Sequence, residues 1–219
     1  MTKQVAVVLA GCGVFDGSEI YETTLTLLRL DQLGIGYRCF APDIEQHHVV
    51  NHLTQEAVEG ESRNVLQESA RLARGDIQPI TELKADEFDA VIVPGGFGVA
   101  KNLSDFASAG DGMQVLEALK DALSGFREEE KPIGLMCIAP VLVPRLLGEG
   151  VAVTVGHDPS VSGAISAMGG LHRSCAVDEI VVDLEHRVVT TPAYMLATRI
   201  SEAATGISKL VDRIDEMMD

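Results

Sequence analysis

Basic residues are scarce in this chain of 219 residues. Lysine and arginine together number 17, against 33 aspartate and glutamate residues, so the formal net charge is −16 at pH 7. A surface of this sign repels phosphate backbones and anionic lipid headgroups. We therefore expect neither nucleic acid nor a membrane surface as a partner.

Closely spaced cysteines are also lacking. The four cysteines are widely scattered and form no CxxC pair; they are Cys12, Cys39, Cys137 and Cys175. A disulfide framework is therefore not expected, and free thiols are typical of a reducing compartment. We predict a cytoplasmic protein with reduced cysteines.

Long apolar runs are missing as well. No run approaches the roughly 20 residues that a membrane-spanning helix needs. Residues 9–12 (LAGC) resemble a lipoprotein cleavage box, but the apolar run before them, residues 5–9, is shorter than the roughly 7–15 residues of a signal core. We interpret this segment as the first strand of the fold.

Short apolar runs rich in β-branched residues do occur, and they alternate with amphipathic segments. Strands are predicted over residues 5–10, 37–41, 89–94, 151–155 and in the run before Cys137, and an antiparallel pair over 177–184 and 187–191. Helices are predicted from Asp16 to Gly34 and over residues 112–126, 141–147 and 193–217. This alternation indicates an α/β fold, a doubly wound, mostly parallel sheet flanked by helices as in flavodoxin.

The polar stretch from about 43 to 82 interrupts the alternation. It contains three of the six histidines and a helical pattern around residues 64–73. We interpret it as an insertion within one domain spanning residues 1–219. Because it follows the carboxyl end of the second strand, we expect it to narrow access to the site as a lid.

Cys137 ends one of the buried runs, and small and helix-starting residues follow it. This pattern is typical of a nucleophile on a sharp strand-to-helix turn. A helix N-terminus favours thiolate over thiol, so we expect a Cys137 pKa below that of a free thiol. The alternative is that Cys137 is only a small buried apolar residue.

Other strand ends carry groups that complete a catalytic site. Gly95 and Gly96, with Ile138, supply backbone N–H groups for an oxyanion hole. Glu22, near the start of the first helix, can exchange a proton with Cys137. His157 is a candidate base, and His172 is a weaker one; either histidine can equally be a surface loop residue.

The remaining patterns do not predict a cofactor or a metal. His48 and His52 have a helical spacing, but no carboxylate completes a zinc set. The first glycine turn reads GxGxxxG rather than GxGxxG, and it has acidic residues and no nearby cation, which disfavours a pyrophosphate. We expect no cofactor and no metal.

Three segments together resemble the PfpI-type superfamily, which has a class I glutamine amidotransferase-like fold. They are residues 91–96 (VIVPGG) with 101–104 (KNLS), residues 134–140 (GLMCIAP), and residues 17–23 (GSEIYET), which place the glutamate of that superfamily at Glu22. The opening at residues 10–19 and the insertion resemble the ElbB branch, also described as enhancing-lycopene-biosynthesis or sigma cross-reacting proteins. The chain departs from the protease branch, which has histidine where Ile138 stands, and from amidotransferases, whose late His-x-Glu pair is not supplied at His157.

The resemblance implies a homodimer and a glutathione-independent glyoxalase that converts glyoxal, with methylglyoxal as a second candidate substrate, into the 2-hydroxy acid through a cysteine hemithioacetal. Two alternatives stay open: a redox-sensing or binding module without catalysis, and a protein or nucleotide deglycase. Steady turnover of glyoxal separates an enzyme from a sensor, because a sensor would consume one equivalent and stop.

Overall fold

One seven-stranded sheet lies at the centre of the computed structural model, which describes residues 2–219. The strands, in chain order, are β1 (Gln4–Val8), β2 (Gly36–Ala41), β3 (Val50–Asn51), β4 (Glu56–Ala57), β5 (Ile77–Pro79), β6 (Ala90–Val93), β7 (Ile133–Met136), β8 (Ala152–Val153), β9 (Leu171–His172), β10 (Val181–Asp183) and β11 (Val188–Thr191). The order in the main sheet is β10-β11-β7-β6-β1-β2-β5, and all neighbours are parallel except β10 and β11. Strands β3–β4 and β8–β9 form two small separate sheets.

Helices flank the main sheet. They are α1 (Ile20–Gln32), α2 (Val65–Leu72), α3 (Phe97–Lys101), α4 (Phe106–Ala109), α5 (Glu117–Glu128), α6 (Val143–Leu147), α7 (Pro159–Ala167) and α8 (Ile200–Met217). The long helix α8 packs against α1, β7 and β11, and α5 packs against α6 and β6. The predicted α/β architecture is confirmed.

The four central strands are buried on both faces. Every residue of β6, β7 and β11 is buried, and so is every residue of β1 after Gln4. Successive side chains of a strand point to opposite faces, so burial of all of them requires cover on both sides. This explains why these strands appear in the sequence as continuous apolar runs.

The chain changes direction across the sheet between β1 and β6. From β1 it proceeds outward through β2 to β5, and then it returns to β6 and proceeds the other way through β7 to β11. Open α/β sheets form their ligand crevice at such a switch point, outside the carboxyl ends of the strands. Glu22 follows β1, Gly95 follows β6 and Cys137 follows β7.

The helices α1, α5, α6 and α8 all begin later than the sequence predicts, with α5 starting at Glu117 and α6 at Val143. Asp16 does not cap α1, because it is buried and its carboxylate accepts a hydrogen bond from the Val50 N–H at 2.8 Å. Glu19 caps α1 instead, accepting from the Glu22 N–H at 2.7 Å. The last helix begins at Ile200, since Ala193–Met195 forms a short 3₁₀ turn directly after β11.

The insertion ends earlier than predicted. Ile77–Pro79 is β5, the edge strand of the main sheet, paired in parallel with β2, and α2 is the connecting helix before it. Only the segment with the β3–β4 hairpin lies outside the regular βαβ pattern. The predicted strand at residues 151–155 is also outside the main sheet, because β8 pairs with β9.

Replacing residues 43–82 with a short linker is therefore expected to prevent cooperative folding. The deletion removes β5 and α2, and with them the fully buried Val65 and Ile80, and it exposes the edge of β2. The matched control replaces residues 53–55, at the exposed hairpin turn, with glycines and should retain a cooperative urea transition. A cooperative transition in the deletion variant would contradict this assignment of β5.

Candidate active site

Cys137 lies at the sharp turn after β7. Its φ angle is 60°, in the left-handed region that is uncommon for a residue with a side chain. Its N–H donates to the Thr191 carbonyl at the end of β11 at 3.0 Å, which holds the turn in place. The side chain is only 7% exposed, so the sulfur forms the floor of a cleft. The predicted sharp turn between strand and helix is present at Cys137.

Glu22 is fully buried beside Cys137, with an exposure of 0%. One carboxyl oxygen accepts from the Gly95 N–H at 2.8 Å, and the other accepts from the Tyr194 N–H at 3.1 Å. The Cys137 thiol lies beside the Glu22 carboxyl, and each group shifts the pKa of the other. Glu22 thereby connects the ends of β6, β7 and β11.

Burial raises the pKa of Glu22 to about 7, and the neighbouring Glu19 carboxylate adds to the rise. The N–H groups of Tyr194 and Gly95 and the Cys137 thiol act in the opposite direction, because they stabilise the carboxylate. A carboxyl group with this pKa is partly protonated at neutral pH. It can accept a proton in one step and return it in another.

The expectation of a lowered Cys137 pKa is wrong. Burial raises the pKa of the Cys137 thiol well above its ordinary value, and the Glu22 carboxylate raises it further, whereas the N–H groups of Gly96 and Ile138 lower it. A short 3₁₀ turn, Ala139–Leu142, follows the cysteine, and α6 starts only at Val143. A Cys137 thiolate therefore requires that Glu22 hold the proton.

Gly95 must be glycine because the two reactive groups lie against it. A Cβ atom at this position would lie 2.7 Å from Glu22 Oε2 and 2.9 Å from Cys137 Sγ. Its N–H is already bonded to Glu22. Of the three predicted oxyanion donors, two therefore remain. They are the N–H groups of Gly96 and Ile138, which interact with the cysteine sulfur.

The structure does not bring the two candidate histidines to Cys137. His157 is exposed in the turn before α7, and it is not among the residues that line the cleft, although its neighbour Asp158 is. His172 belongs to β9, where its Nε2 accepts from the Val155 N–H at 3.3 Å. Strand β8 pairs with β9 rather than with the main sheet, and the turn after it brings Asp158, but not His157, to the wall of the cleft. The role predicted for His157 stays a prediction.

The histidines of the insertion have structural contacts. His52 Nε2 accepts from the Phe15 N–H at 3.3 Å and lies 3.8 Å from Asp16 Oδ1, so it supports the first glycine turn. Within residues 2–219, no group of three or more His, Cys, Asp or Glu side chains is arranged to hold a metal ion. Over the same residues, no helix is long and apolar enough to cross a membrane.

The cleft above Cys137 has a volume of about 620 Å³. None of the described residues of the insertion lines it, so the prediction that residues 43–82 form a lid is wrong. The rim comes instead from α4 and the turn after it. The lining residues are Val14, Gly96, Phe97, Ala100, Phe106, Ala107, Ser108, Gly110, Cys137, Ile138, Asp158, Ser160, Val161, Tyr194 and Met195.

Sequence reasoning missed Tyr194 and Glu19. Tyr194 lies in the turn after β11, and its backbone N–H is one of the two amide donors to Glu22. The signal available was that a fourth parallel strand, residues 188–191, ends at the same edge of the sheet. Glu19 appears in the sequence as an ordinary first-turn acid, and its effect on Glu22 requires the burial that the fold provides.

Comparison with known proteins identifies the family. The human glutamine amidotransferase-like class 1 domain-containing protein 3, mitochondrial, is 46% identical over 223 residues, which cover 98% of this chain and 83% of the human protein. The chain belongs to this glutamine amidotransferase-like class 1 family. The zebrafish ES1 protein, mitochondrial, is 34% identical and covers 89% of this chain and 77% of its own length. No family model matches the chain.

Solved structures confirm the fold of this family member. An isoprenoid biosynthesis protein with an amidotransferase-like domain from Ehrlichia chaffeensis has 40% identity and a TM-score of 0.93, and the match covers 100% of both chains. Drosophila melanogaster DJ-1beta has a TM-score of 0.56 at 18% identity, covering 99% of this chain and 96% of the other, which is a likeness of fold alone.

The prediction of a cytoplasmic protein is wrong, because the curated relatives from human, rat and zebrafish are named as mitochondrial proteins. The four cysteines are free, as expected. Free thiols and an acidic surface fit any reducing compartment, so composition does not distinguish one from another.

Glu22→Gln is expected to flatten the pH dependence of stability. In the unfolded chain Glu22 ionises near its ordinary pKa of about 4.3, but in the folded protein it ionises at about 7. At pH values between these two pKa values, the unfolded state binds fewer protons than the folded state. The free energy of unfolding therefore falls as pH rises, by on the order of 3 kcal/mol in total. Urea denaturation from pH 5 to 8 should show this fall in wild type and in the exposed control Glu128→Gln, but not in Glu22→Gln. Parallel curves for all three proteins would contradict the burial of a titrating Glu22.

Gly95→Ala is expected to lower the free energy of unfolding by roughly 1–3 kcal/mol, because the added methyl group overlaps Cys137 and Glu22. Gly163→Ala is the matched control. Gly163 lies within α7 with free space around its Cβ position, so alanine should stabilise the protein by about 0.5–1 kcal/mol. Equal shifts of the urea midpoint in the two variants would show that Gly95 is not under steric constraint.

Proposed function

We propose that this protein is a cofactor-independent glyoxalase, as its resemblance to the ElbB branch implies. The observation that carries the proposal is the juxtaposition of Cys137 and the fully buried Glu22 at the floor of a cleft. A nucleophile and a proton carrier within hydrogen-bonding reach are what covalent catalysis on an aldehyde requires.

Addition of the aldehyde begins the cycle. Glu22 takes the thiol proton as Cys137 sulfur attacks one aldehyde carbon of glyoxal. The Gly96 and Ile138 N–H groups stabilise the oxyanion, which then takes the proton from Glu22 to give the hemithioacetal and restore the Glu22 carboxylate. Because the pKa of Glu22 is about 7, its carboxylate is available for this step at neutral pH.

Proton transfer and hydrolysis complete the cycle. Glu22 removes the hydrogen from the carbon that bears sulfur and returns a proton to the neighbouring carbon, which converts the hemithioacetal into a thioester of the 2-hydroxy acid. Water then cleaves the carbon–sulfur bond, releasing glycolate and the thiol. In sum, glyoxal and water give glycolate and one proton. His157 stays a candidate for the base that activates the water.

Two features of Cys137 favour an enzyme over a redox sensor. The sulfur is only 7% exposed, and burial raises its pKa, whereas cysteines that react readily with peroxide are exposed and have a low pKa. A homodimer, which the family resemblance implies, is part of the proposal and can be measured by analytical ultracentrifugation.

Cys137→Ala is expected to abolish the formation of glycolate from glyoxal, followed by NMR, and Glu22→Gln should lower kcat by about 10²–10⁴-fold. Cys175→Ala, which removes a partly exposed thiol outside the cleft, is the control and should retain activity.

In wild type, kcat/KM should rise as pH increases through about 7, because the ionised form of Glu22 receives the thiol proton. Turnover that persists in Cys137→Ala, or consumption of a single equivalent by wild type, would disprove the proposal.

A further inference from the structure

One wall of the cleft is a segment without buried side chains. It comprises α4 and the 3₁₀ turn Gly110–Gly112 that follows it, and we call these residues, 106–112, the flap. The chain on either side of the flap is anchored in the core, since Leu103 and Met113 are fully buried. An exposed segment between two buried anchors can change its position at a lower cost in free energy than the strands of the sheet.

The chain is held together at the base of the flap. Ser104 and Val115 form an antiparallel bridge. Next to this bridge, the Asp105 carboxylate accepts from the Gln114 N–H at 2.6 Å, and the Asp105 N–H donates to the Gln114 carbonyl at 3.2 Å. A compact loop whose ends are paired can turn as one unit about its base, while the buried anchors on either side stay in place.

One side chain from elsewhere in the fold restrains the flap. The Arg145 guanidinium, on α6, donates to the Asp111 carbonyl at 2.7 Å. Within residues 2–219, the other hydrogen bonds of the flap are formed inside it or with its immediate chain neighbours, residues 104, 105 and 113. Of the flap side chains, only the half-buried Phe106 packs against the core. The restraint on the flap is therefore one hydrogen bond and one aromatic ring.

The position of the flap affects the path to the nucleophile. The flap contributes Phe106, Ala107, Ser108 and Gly110 to the same cleft that Cys137 lines. The Cys137 side chain is only 7% exposed, so a molecule that reacts with the sulfur must pass through this cleft. Displacement of the flap therefore widens the path, and its return narrows the path again.

We propose that the flap opens and closes beside Cys137, and that Arg145 holds it in the closed position seen in the structure. Gly110 and Gly112 supply the flexibility, because glycine adopts both left-handed and right-handed backbone conformations, and a Cβ atom at either position would have no neighbour within 4 Å. While the Arg145 hydrogen bond is formed, only small molecules reach the sulfur. When it breaks, the flap turns away and larger molecules enter. Closure thereby keeps larger thiols away from a covalent adduct at Cys137.

The rate of alkylation of Cys137 tests the proposal, and mass spectrometry of tryptic peptides distinguishes this cysteine from the others. When opening and closing are faster than modification, the rate follows the population of the open state. Arg145→Ala is expected to accelerate modification by the bulky reagent fluorescein maleimide about two- to tenfold, as the loss of one ordinary hydrogen bond predicts. Modification by methyl methanethiosulfonate, which is small enough to pass the closed flap, should keep its wild-type rate.

Three further variants serve as controls and as a second test. Arg145→Lys retains a donor for the Asp111 carbonyl and should stay close to wild type. Arg213→Ala, which removes an exposed ion pair with Glu216 on α8 outside the cleft, should not change either rate. Gly112→Ala restricts the backbone of the flap without a steric overlap. It should slow the reaction with fluorescein maleimide about two- to fivefold.

The two reagents together separate access from reactivity. Equal acceleration of both reactions in Arg145→Ala would show that the sulfur itself has become more reactive, and this result overturns the inference. Unchanged rates with both reagents in Arg145→Ala and Gly112→Ala overturn it as well. The inference concerns access to Cys137 and does not depend on the glyoxalase reaction. A lack of glyoxal turnover would therefore disprove the proposed function alone, whereas turnover with unchanged alkylation rates would disprove only the role of the flap.

Discussion

The buried carboxyl group of Glu22 is the interaction on which the site depends. It accepts hydrogen bonds from the N–H groups of Gly95 and Tyr194 and lies beside the Cys137 thiol, so one side chain joins the ends of three strands. Burying a carboxylate is costly unless donors compensate it. Here the compensation is partial, and the pKa of Glu22 rises to about 7, where the group can both accept and donate a proton.

The sheet makes this arrangement possible. Strands β11, β7, β6 and β1 are neighbours and parallel, so their carboxyl ends meet at one edge. The left-handed backbone of Cys137 is strained, and such strain persists only where surrounding contacts enforce it. Fully buried strands on both sides and the hydrogen bond from the Cys137 N–H to Thr191 supply that constraint. The packing of the core thereby holds the Cys137 sulfur atom in position.

Several parts of the site could be predicted because they correspond to recognisable patterns of neighbouring residues in the sequence. A buried strand of four or five apolar residues has a recognisable end in the sequence, which located Cys137 and Gly95 at strand ends and Glu22 in the helix after the first strand. Long-range contacts have no such local signal. The Gly95 N–H, expected to stabilise an oxyanion, is bonded to Glu22, and the turn after β8 brings Asp158 rather than His157 to the cleft. The cysteine pKa was expected to fall, yet burial and the adjacent carboxyl raise it.

The sequence by itself determined the α/β class, the buried central strands and the turn at Cys137, because apolar periodicity and glycine positions depend on near neighbours in the chain. Only the tertiary structure decided that Ile77–Pro79 is an edge strand, that α4 rather than the insertion borders the cleft, and that Tyr194 completes the environment of Glu22. It also decided the direction of the Cys137 pKa. These properties depend on residues brought together from distant parts of the chain and on their removal from water, neither of which is recorded in a local pattern.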